Sequence, residues 1–233
     1  MDDLSLPDVA AVMARFGAQP CPAPGTGHAG FVALGPRFDQ ALLYASAAHR
    51  HQPRKGTPVP YLSHLLGVAS IVLTYRGTED QAIAGLLHDT VEDCGAEHTA
   101  AIEELFGTAV RDMVLACSDS AVPAGEAKGD WRSRKEAYLR HLEELDVDDP
   151  ALLVSCADKL HNAGAILADL EAEGLPFWNR FPGRRPEDIL WYYGALAAFF
   201  TETLASPLAH RLQATVDAII VLQERLAADA LIT

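Results

Sequence analysis

The sequence predicts an all-α protein, and three observations support this fold class. Phe38, Leu42 and Ala45 recur at the spacing that places side chains on one face of a helix. No stretch shows the sustained alternation of apolar and polar residues that is typical of a half-buried strand. Glycine and proline cluster in short stretches between the helical segments, where they predict turns.

The individual helices are predicted from apolar periodicity and from the turn residues that separate them. Residues 4–16 fit a short helix, and the prolines and glycines of 20–36 predict a loop. Gly107 separates two short helices, and Ser206 followed by Pro207 is typical of a helix start. The ranges predicted after the loop are 38–49, 63–77, 79–93, 100–106, 108–118, 131–145, 151–170, 188–204 and a last helix from Pro207.

Length and composition favour one globular domain. The chain has 233 residues, of which 49% are hydrophobic and 21% charged, as in a protein with a sizeable core. Because no linker interrupts the helical region, we expect one domain at 37–233 after an N-terminal arm at 1–36. The N-terminus lacks the pattern of a signal peptide, and no apolar run reaches the roughly 18 residues of a membrane span.

The charge of the chain restricts its partners. The formal net charge is −14, and a field of this sign repels phosphate, so neither nucleic acid nor an anionic membrane is an expected partner. A phosphorylated ligand would need a local cationic pocket or a bound metal. The four cysteines lie far apart without a CxxC pair, which predicts reduced thiols in a cytoplasmic protein.

The strongest chemical signal is Gly-Leu-Leu-His-Asp-Thr-Val-Glu-Asp at 85–93. His88 and Glu92 are four residues apart on the predicted helix. Asp89 and Asp93 have the same spacing, so each pair lies on one side of the helix. Three carboxylates and an imidazole within two turns are electrostatically unfavourable without a cation between them. For an isolated His-Asp pair, an acidic and solvated helix end is the alternative.

Two further segments favour a metal site. His64 begins a helix after a proline-rich loop, and Asp158 and Asn162 are four residues apart on an otherwise apolar helix. A carboxylate buried on such a helix is costly unless it is paired or ligated. Together with His88 and Asp89, these segments supply two imidazoles and two carboxylates from three helices. This donor set suits one Mn²⁺ ion, with Fe²⁺ or Zn²⁺ as alternatives.

The order His, His-Asp, Asp on separate helices resembles that of the HD-domain metal-dependent phosphohydrolases. The sequences of three segments, 54–64, 86–93 and 157–162, are similar to motifs in the hydrolase domain of RelA/SpoT-type alarmone enzymes. The resemblance covers roughly residues 38–200. It implies a single HD-type helical bundle and a stand-alone small alarmone hydrolase.

The resemblance implies a role for each residue of the predicted metal site. The implied ligands of one Mn²⁺ ion are His64, His88, Asp89 and Asp158. Glu92 and Asp93 are the implied catalytic residues, which orient or deprotonate the attacking water. The implied reaction is hydrolysis of the 3′-pyrophosphate of an alarmone, which releases pyrophosphate and a nucleoside 5′-di- or triphosphate.

The substrate implied by the resemblance is a small-molecule purine nucleotide. Arg54 would stack on the purine, Lys55 would face phosphate and Asn162 would hydrogen-bond the ribose. Tyr192 is a further candidate nucleotide contact, although it lies in 177–193, a segment unlike that of the bifunctional enzymes. An arginine that many relatives carry after Asn162 is also missing. Guanine and adenine alarmones, ppGpp and ppApp, are therefore alternatives.

Two other functions stay open on the sequence. One is hydrolysis of another nucleotide by an HD-type phosphohydrolase, such as a dNTP, a nucleoside monophosphate or NADPH. The other is a non-catalytic nucleotide-sensing module. Arg54 and Lys55 favour the alarmone hydrolase over the first alternative. The intact pair Glu92 and Asp93 argues against the second, because loss of catalysis should first damage the ligands or this pair.

Overall fold

A computed structural model describes residues 32–118 and 129–231, together with residues 13, 15–17 and 21. The fold belongs to the unit Val32–Thr233. The described residues contain ten α-helices and no β-strand, and Pro53 and Pro60 form an isolated bridge. The predicted all-α class is thereby confirmed. The helix predicted at 4–16 lies largely outside the described residues.

The helices follow the predicted order closely. They are α1 (Pro36–Ala48), α2 (Leu62–Thr74), α3 (Glu79–Leu87), α4 (Thr90–Cys94), α5 (His98–Phe106), α6 (Thr108–Cys117), α7 (Trp131–Glu144), α8 (Pro150–Glu173), α9 (Pro186–Leu204) and α10 (Pro207–Ala230). Ser206 caps α10 as predicted, because its hydroxyl accepts a hydrogen bond from the backbone N–H of Ala209. None of the described helices combines the length and apolar content needed to cross a bilayer.

Two elements differ from the sequence prediction. The predicted helix 79–93 is interrupted at His88 and Asp89, where the ψ of Asp89 is −3° instead of about −42°. The segment 174–186, which lies between the predicted helices 151–170 and 188–204, contains a 3₁₀ helix at Leu175–Arg180. The interruption matters for the site, because consecutive side chains of a regular helix point about 100° apart.

Helix α8 is the centre of the bundle. It packs against α2, α3, α6, α9 and α10, and its buried face runs from Ala151 to Leu170. Helices α2 and α3 pack closely on each other beside it. Asp149 caps the start of α8 by accepting from the N–H of Ala151 at 2.8 Å, and Pro150 occupies the first turn, where no N–H is needed.

Small residues allow α2 and α3 to approach each other. A β-carbon at Gly85 would lie 3.3 Å from the Cα of Ala69, which is closer than ordinary van der Waals contact. A β-carbon at Gly67 would lie 2.2 Å from the ring of His161, so this ring occupies the space over the glycine. These glycines therefore set the distances between the helices that carry the candidate site.

We expect Gly85→Val to destabilise the protein by about 1–3 kcal/mol, because the larger side chain would be forced against the backbone of α2. Gly164→Val is the matched control, since a β-carbon at Gly164 on α8 meets nothing within 4 Å. The free energy of unfolding, measured by urea denaturation, checks this. Equal effects of the two substitutions would contradict close packing at Gly85.

Candidate metal centre and adjoining cavity

Three helical segments bring four predicted ligands together. His64 lies in the first turn of α2, His88 and Asp89 occupy the interruption between α3 and α4, and Asp158 lies in the middle of α8. The side chains of His64, His88 and Asp158 are 1%, 1% and 6% exposed, and that of Asp89 is 19% exposed. The four groups are thus largely withdrawn from water.

The distances between the donor atoms suit a single cation. His64 Nε2 lies 3.2 Å from His88 Nε2, 3.1 Å from Asp158 Oδ1 and 3.4 Å from Asp89 Oδ2. His88 Nε2 lies 3.0 Å from Asp89 Oδ2 and 3.5 Å from Asp158 Oδ1. Atoms that each bind one ion at about 2.1 Å, with angles near 90–110°, are roughly 3.0–3.4 Å apart. The donor atoms of His64, His88 and Asp89 all lie within 4.8 Å of one another, and Asp158 approaches both imidazoles, a spacing that suits one ion.

The outer nitrogens of the two imidazoles have partners that direct the inner ones toward this position. His88 Nδ1 lies 2.9 Å from the carbonyl oxygen of Gly85, which can only accept, so Nδ1 carries the proton. His64 Nδ1 lies 2.9 Å from Nδ1 of His161. Burial and the nearby His64 and Arg54 lower the pKa of His161 to about 4, so its ring is neutral at pH 7 and can accept. Such partners are typical of metal-ligating histidines.

The buried carboxylates of the site need positive charge nearby to stay ionised. Burial alone would raise the pKa of Asp89, but His88 and His64 hold it well below its usual range. Burial lowers the pKa of His88, yet Asp89 and Asp158 outweigh this effect and raise it well above its usual range. A proton and a divalent cation therefore compete for Nε2 of His88, and the donor set fits a divalent cation.

Asp158 has two further hydrogen-bond partners on α8: Asn162, which the sequence had placed four residues away on the same helix, and Lys159, which it had not paired with Asp158. Lys159 Nζ donates to Oδ2 at 2.6 Å, and Asn162 Nδ2 donates to Oδ1 at 2.6 Å. Although burial raises the pKa of Asp158, Lys159 and the two histidines lower it well below its usual range. Tyr61 donates from its hydroxyl to Oδ2 of Asp89. Both carboxylates are therefore held as anions in fixed orientations.

The two predicted catalytic carboxylates lie on α4, one turn beyond the ligands. Glu92 is half-buried and Asp93 is exposed. Oδ2 of Asp93 accepts a hydrogen bond from Gln52 Nε2 at 2.8 Å. Burial and the negative charges of Asp89 and Asp93 raise the pKa of Tyr61.

A cavity of about 390 Å³ adjoins the candidate centre and contains three of the predicted substrate residues, Arg54, Lys55 and Asn162. His161 and Tyr61, which touch the candidate ligands, also line it. Nη2 of Arg54 donates to Oδ1 of Asn162 at 3.0 Å. A continuous set of contacts thus leads from Asp158 through Asn162 to Arg54.

Tyr192, a predicted substrate contact, does not line this cavity, and the adjacent residue in the sequence lines it instead. Tyr192 is buried, 4% exposed, with its ring 6.0 Å from that of Trp131. Tyr193 lines the cavity instead, together with Phe177, Arg180 and Phe181 of the 174–186 segment. The side chains of 192 and 193 point about 100° apart on a helix, and only the packing of α9 decides which one faces the cavity.

Comparison with known proteins agrees with this geometry. The HD domain model matches residues 41–185, so this chain belongs to the HD-domain family. It is 37% identical over 127 residues to the guanosine-3′,5′-bis(diphosphate) 3′-pyrophosphohydrolase MESH1 of Xenopus tropicalis. That alignment covers 53% of this chain and 65% of the frog protein.

Two further similarities extend the comparison. The chain is 32% identical over 130 residues to the bifunctional (p)ppGpp synthase/hydrolase SpoT of Escherichia coli, covering 54% of this chain and 17% of SpoT. A solved structure, described as a metazoan ortholog of SpoT that hydrolyses ppGpp, shares the fold with a TM-score of 0.54. It is 23% identical and is matched over 86% of this chain and 98% of its own. The chain thus spans less than two thirds of the curated relatives' length.

Removal of divalent metal should lower the melting temperature. At a free metal concentration about 100 times Kd, binding stabilises the native state by roughly 2.7 kcal/mol, or about 5–10 °C for a domain of this size. We expect a chelator to abolish this increment and Mn²⁺ to restore it, as measured by thermal unfolding. His88→Ala should lose the response, whereas His210→Ala, at an exposed position on α10, should keep it. An unchanged response in His88→Ala would contradict the site.

Proposed function

We propose that this chain is a metal-dependent hydrolase of the 3′-pyrophosphate of an alarmone nucleotide, (p)ppGpp or (p)ppApp. The products are pyrophosphate and a nucleoside 5′-di- or triphosphate. The observation that carries the proposal is the contact series Asp158, Asn162 and Arg54, which joins the candidate metal centre to the cationic cavity. The similarity to MESH1, a 3′-pyrophosphohydrolase, and to SpoT, a (p)ppGpp synthase/hydrolase, supports the same reaction.

The proposed ligands of a single ion are His64, His88, Asp89 and Asp158. We propose Mn²⁺, because two nitrogen and two oxygen donors suit it better than Mg²⁺, with Fe²⁺ and Zn²⁺ as alternatives. When bound, the cation supplies Lewis acidity, which stabilises negative charge on phosphoryl oxygens and makes water more acidic.

In the proposed mechanism, the chain's own residues position the substrate and move the proton. Asn162 hydrogen-bonds the ribose, while Arg54 stacks on the purine and Lys55 faces phosphate. Glu92, supported by Asp93, accepts a proton from the attacking water as that water adds to the phosphorus atom. The bond between phosphorus and the ribose 3′ oxygen then breaks, this oxygen takes up a proton to become the 3′-hydroxyl of the nucleotide product, and pyrophosphate is released.

The charges and thiols of the chain agree with this assignment. The net charge is −14, so we propose a small nucleotide and not nucleic acid or a membrane as the partner. Cys21, Cys94, Cys117 and Cys156 are all free, which supports a cytoplasmic location.

A hydrolysis assay with a panel of nucleotides tests the proposal. In the presence of Mn²⁺, we expect pyrophosphate release from ppGpp or ppApp, because both present a 3′-pyrophosphate next to a purine. The ratio of kcat/KM for the two alarmones decides the base. Turnover of dNTPs, nucleoside monophosphates or NADPH, without pyrophosphate release from either alarmone, would contradict the proposal.

Glu92→Gln should retain metal and substrate binding but lower turnover by about 10²-fold or more, because the amide cannot accept the proton of the water. Glu104→Gln is the matched control, since Glu104 is exposed on α5. Steady-state kinetics and metal content check both variants. A metal-free Glu92→Gln protein would show that Glu92 acts as a ligand.

A further inference from the structure

The hydrogen bond between Gln52 and Asp93 is a contact at the candidate centre that the proposed mechanism leaves without a role. Nε2 of Gln52 donates to Oδ2 of Asp93 at 2.8 Å. Asp93 is exposed, and an exposed side chain samples several rotamers unless its surroundings hold it. A donor that is itself fixed therefore restricts the direction in which this carboxylate points.

The backbone of Gln52 is held on both sides. Its N–H donates to the carbonyl oxygen of His49 at 3.1 Å, and its carbonyl oxygen accepts from the N–H of Tyr61 at 2.8 Å. His49 directly follows α1, and Tyr61 directly precedes α2. Gln52 is thus anchored between the end of α1 and the start of the helix that carries His64.

His49 also fixes the side-chain amide of Gln52. Its Nδ1 lies 2.7 Å from Oε1 of Gln52. Because an amide oxygen only accepts, Nδ1 carries the proton and the amide nitrogen is turned toward Asp93. Burial lowers the pKa of His49, so the ring is neutral at pH 7 and its Nε2 can accept from the hydroxyl of Thr90, 3.3 Å away. The ring is 2% exposed and stacks on that of Tyr61, with the centroids 5.2 Å apart.

These contacts hold α4 at two positions. Thr90 is the first residue of α4 and contacts His49, and Asp93 is the fourth and contacts Gln52. Helix α4 has only five residues, and a helix this short is not stable by itself. The direction of its side chains therefore depends on the segments packed against it.

We propose that Gln52 is a positioning residue for Asp93, oriented by His49, and that it holds the carboxylates of Glu92 and Asp93 where a proton is taken from the attacking water. This inference rests on the proposed function, in which Asp93 supports Glu92. Rates of such steps fall steeply when the reacting groups are displaced by as little as 1 Å. Gln52 lies outside the lining of the cavity, so its effect falls on turnover and not on substrate binding.

The first test separates turnover from binding in the full-length protein with Mn²⁺. Gln52→Leu should lower kcat for the better alarmone substrate about tenfold or more, while KM and the increase of the melting temperature with Mn²⁺ stay unchanged. Gln52→Glu, which keeps the length of the side chain but sets a carboxylate against Asp93, should lower kcat at least as much. Gln213→Leu is the matched control, because Nε2 of Gln213 donates to Asp217 at the same 2.8 Å on α10. It should leave kcat unchanged.

A double-mutant cycle tests whether Gln52 acts through Asp93. In an Asp93→Ala background, Gln52→Leu should lower kcat by less than a further twofold, because the group that it positions is gone. A full additional loss in that background would overturn the inference. Unchanged kcat in Gln52→Leu, with or without a lower melting temperature, would also overturn it while wild-type hydrolysis upholds the proposed function. If the wild-type protein releases no pyrophosphate from ppGpp or ppApp, the proposed function fails and the positioning role fails with it.

Discussion

The mutual packing of α2, α3 and α8 is the constraint on which the rest of the site depends. The four candidate ligands lie on segments far apart in sequence, and they meet only because these helices approach closely. Gly85 and Ala69 permit the approach of α3 to α2, and Gly67 leaves room for the ring of His161. The small residues of the core thus have a chemical consequence, since they set the distances between donor atoms.

This packing carries an electrostatic cost, which the structure offsets in two ways. Asp89 and Asp158 are withdrawn from water, and burial by itself opposes their charge. Lys159, Tyr61 and the histidines supply positive charge or hydrogen bonds to the carboxylates. A divalent cation held by the proposed ligands would complete the compensation, because it would neutralise both carboxylates while the imidazoles stay neutral.

Asn162 couples the candidate metal centre to the cavity. Its amide nitrogen donates to Asp158, and its amide oxygen accepts from Arg54, so one side chain fixes groups on both sides. Arg54 lies in a loop whose Gly56 packs against the side chain of Arg180. Because Arg180 in turn pairs with Asp169 of α8, the loop that carries Arg54 is held to α8 at two points. The proposed polyanionic substrate would therefore meet local positive charge despite the net charge of the chain.

The sequence by itself determined the all-α class, the helix order and the four candidate ligands, because apolar periodicity, caps and short motifs are local features. It did not determine the interruption at His88 and Asp89, since the predicted helix 79–93 was continuous. Only the tertiary structure decided that Tyr193 lines the cavity while Tyr192 is buried in the core. The same holds for the pairing of Arg180 with a carboxylate and the lack of such a partner for Arg184 among the described residues. These outcomes depend on which helix faces meet and on contacts between distant residues, which no local pattern encodes.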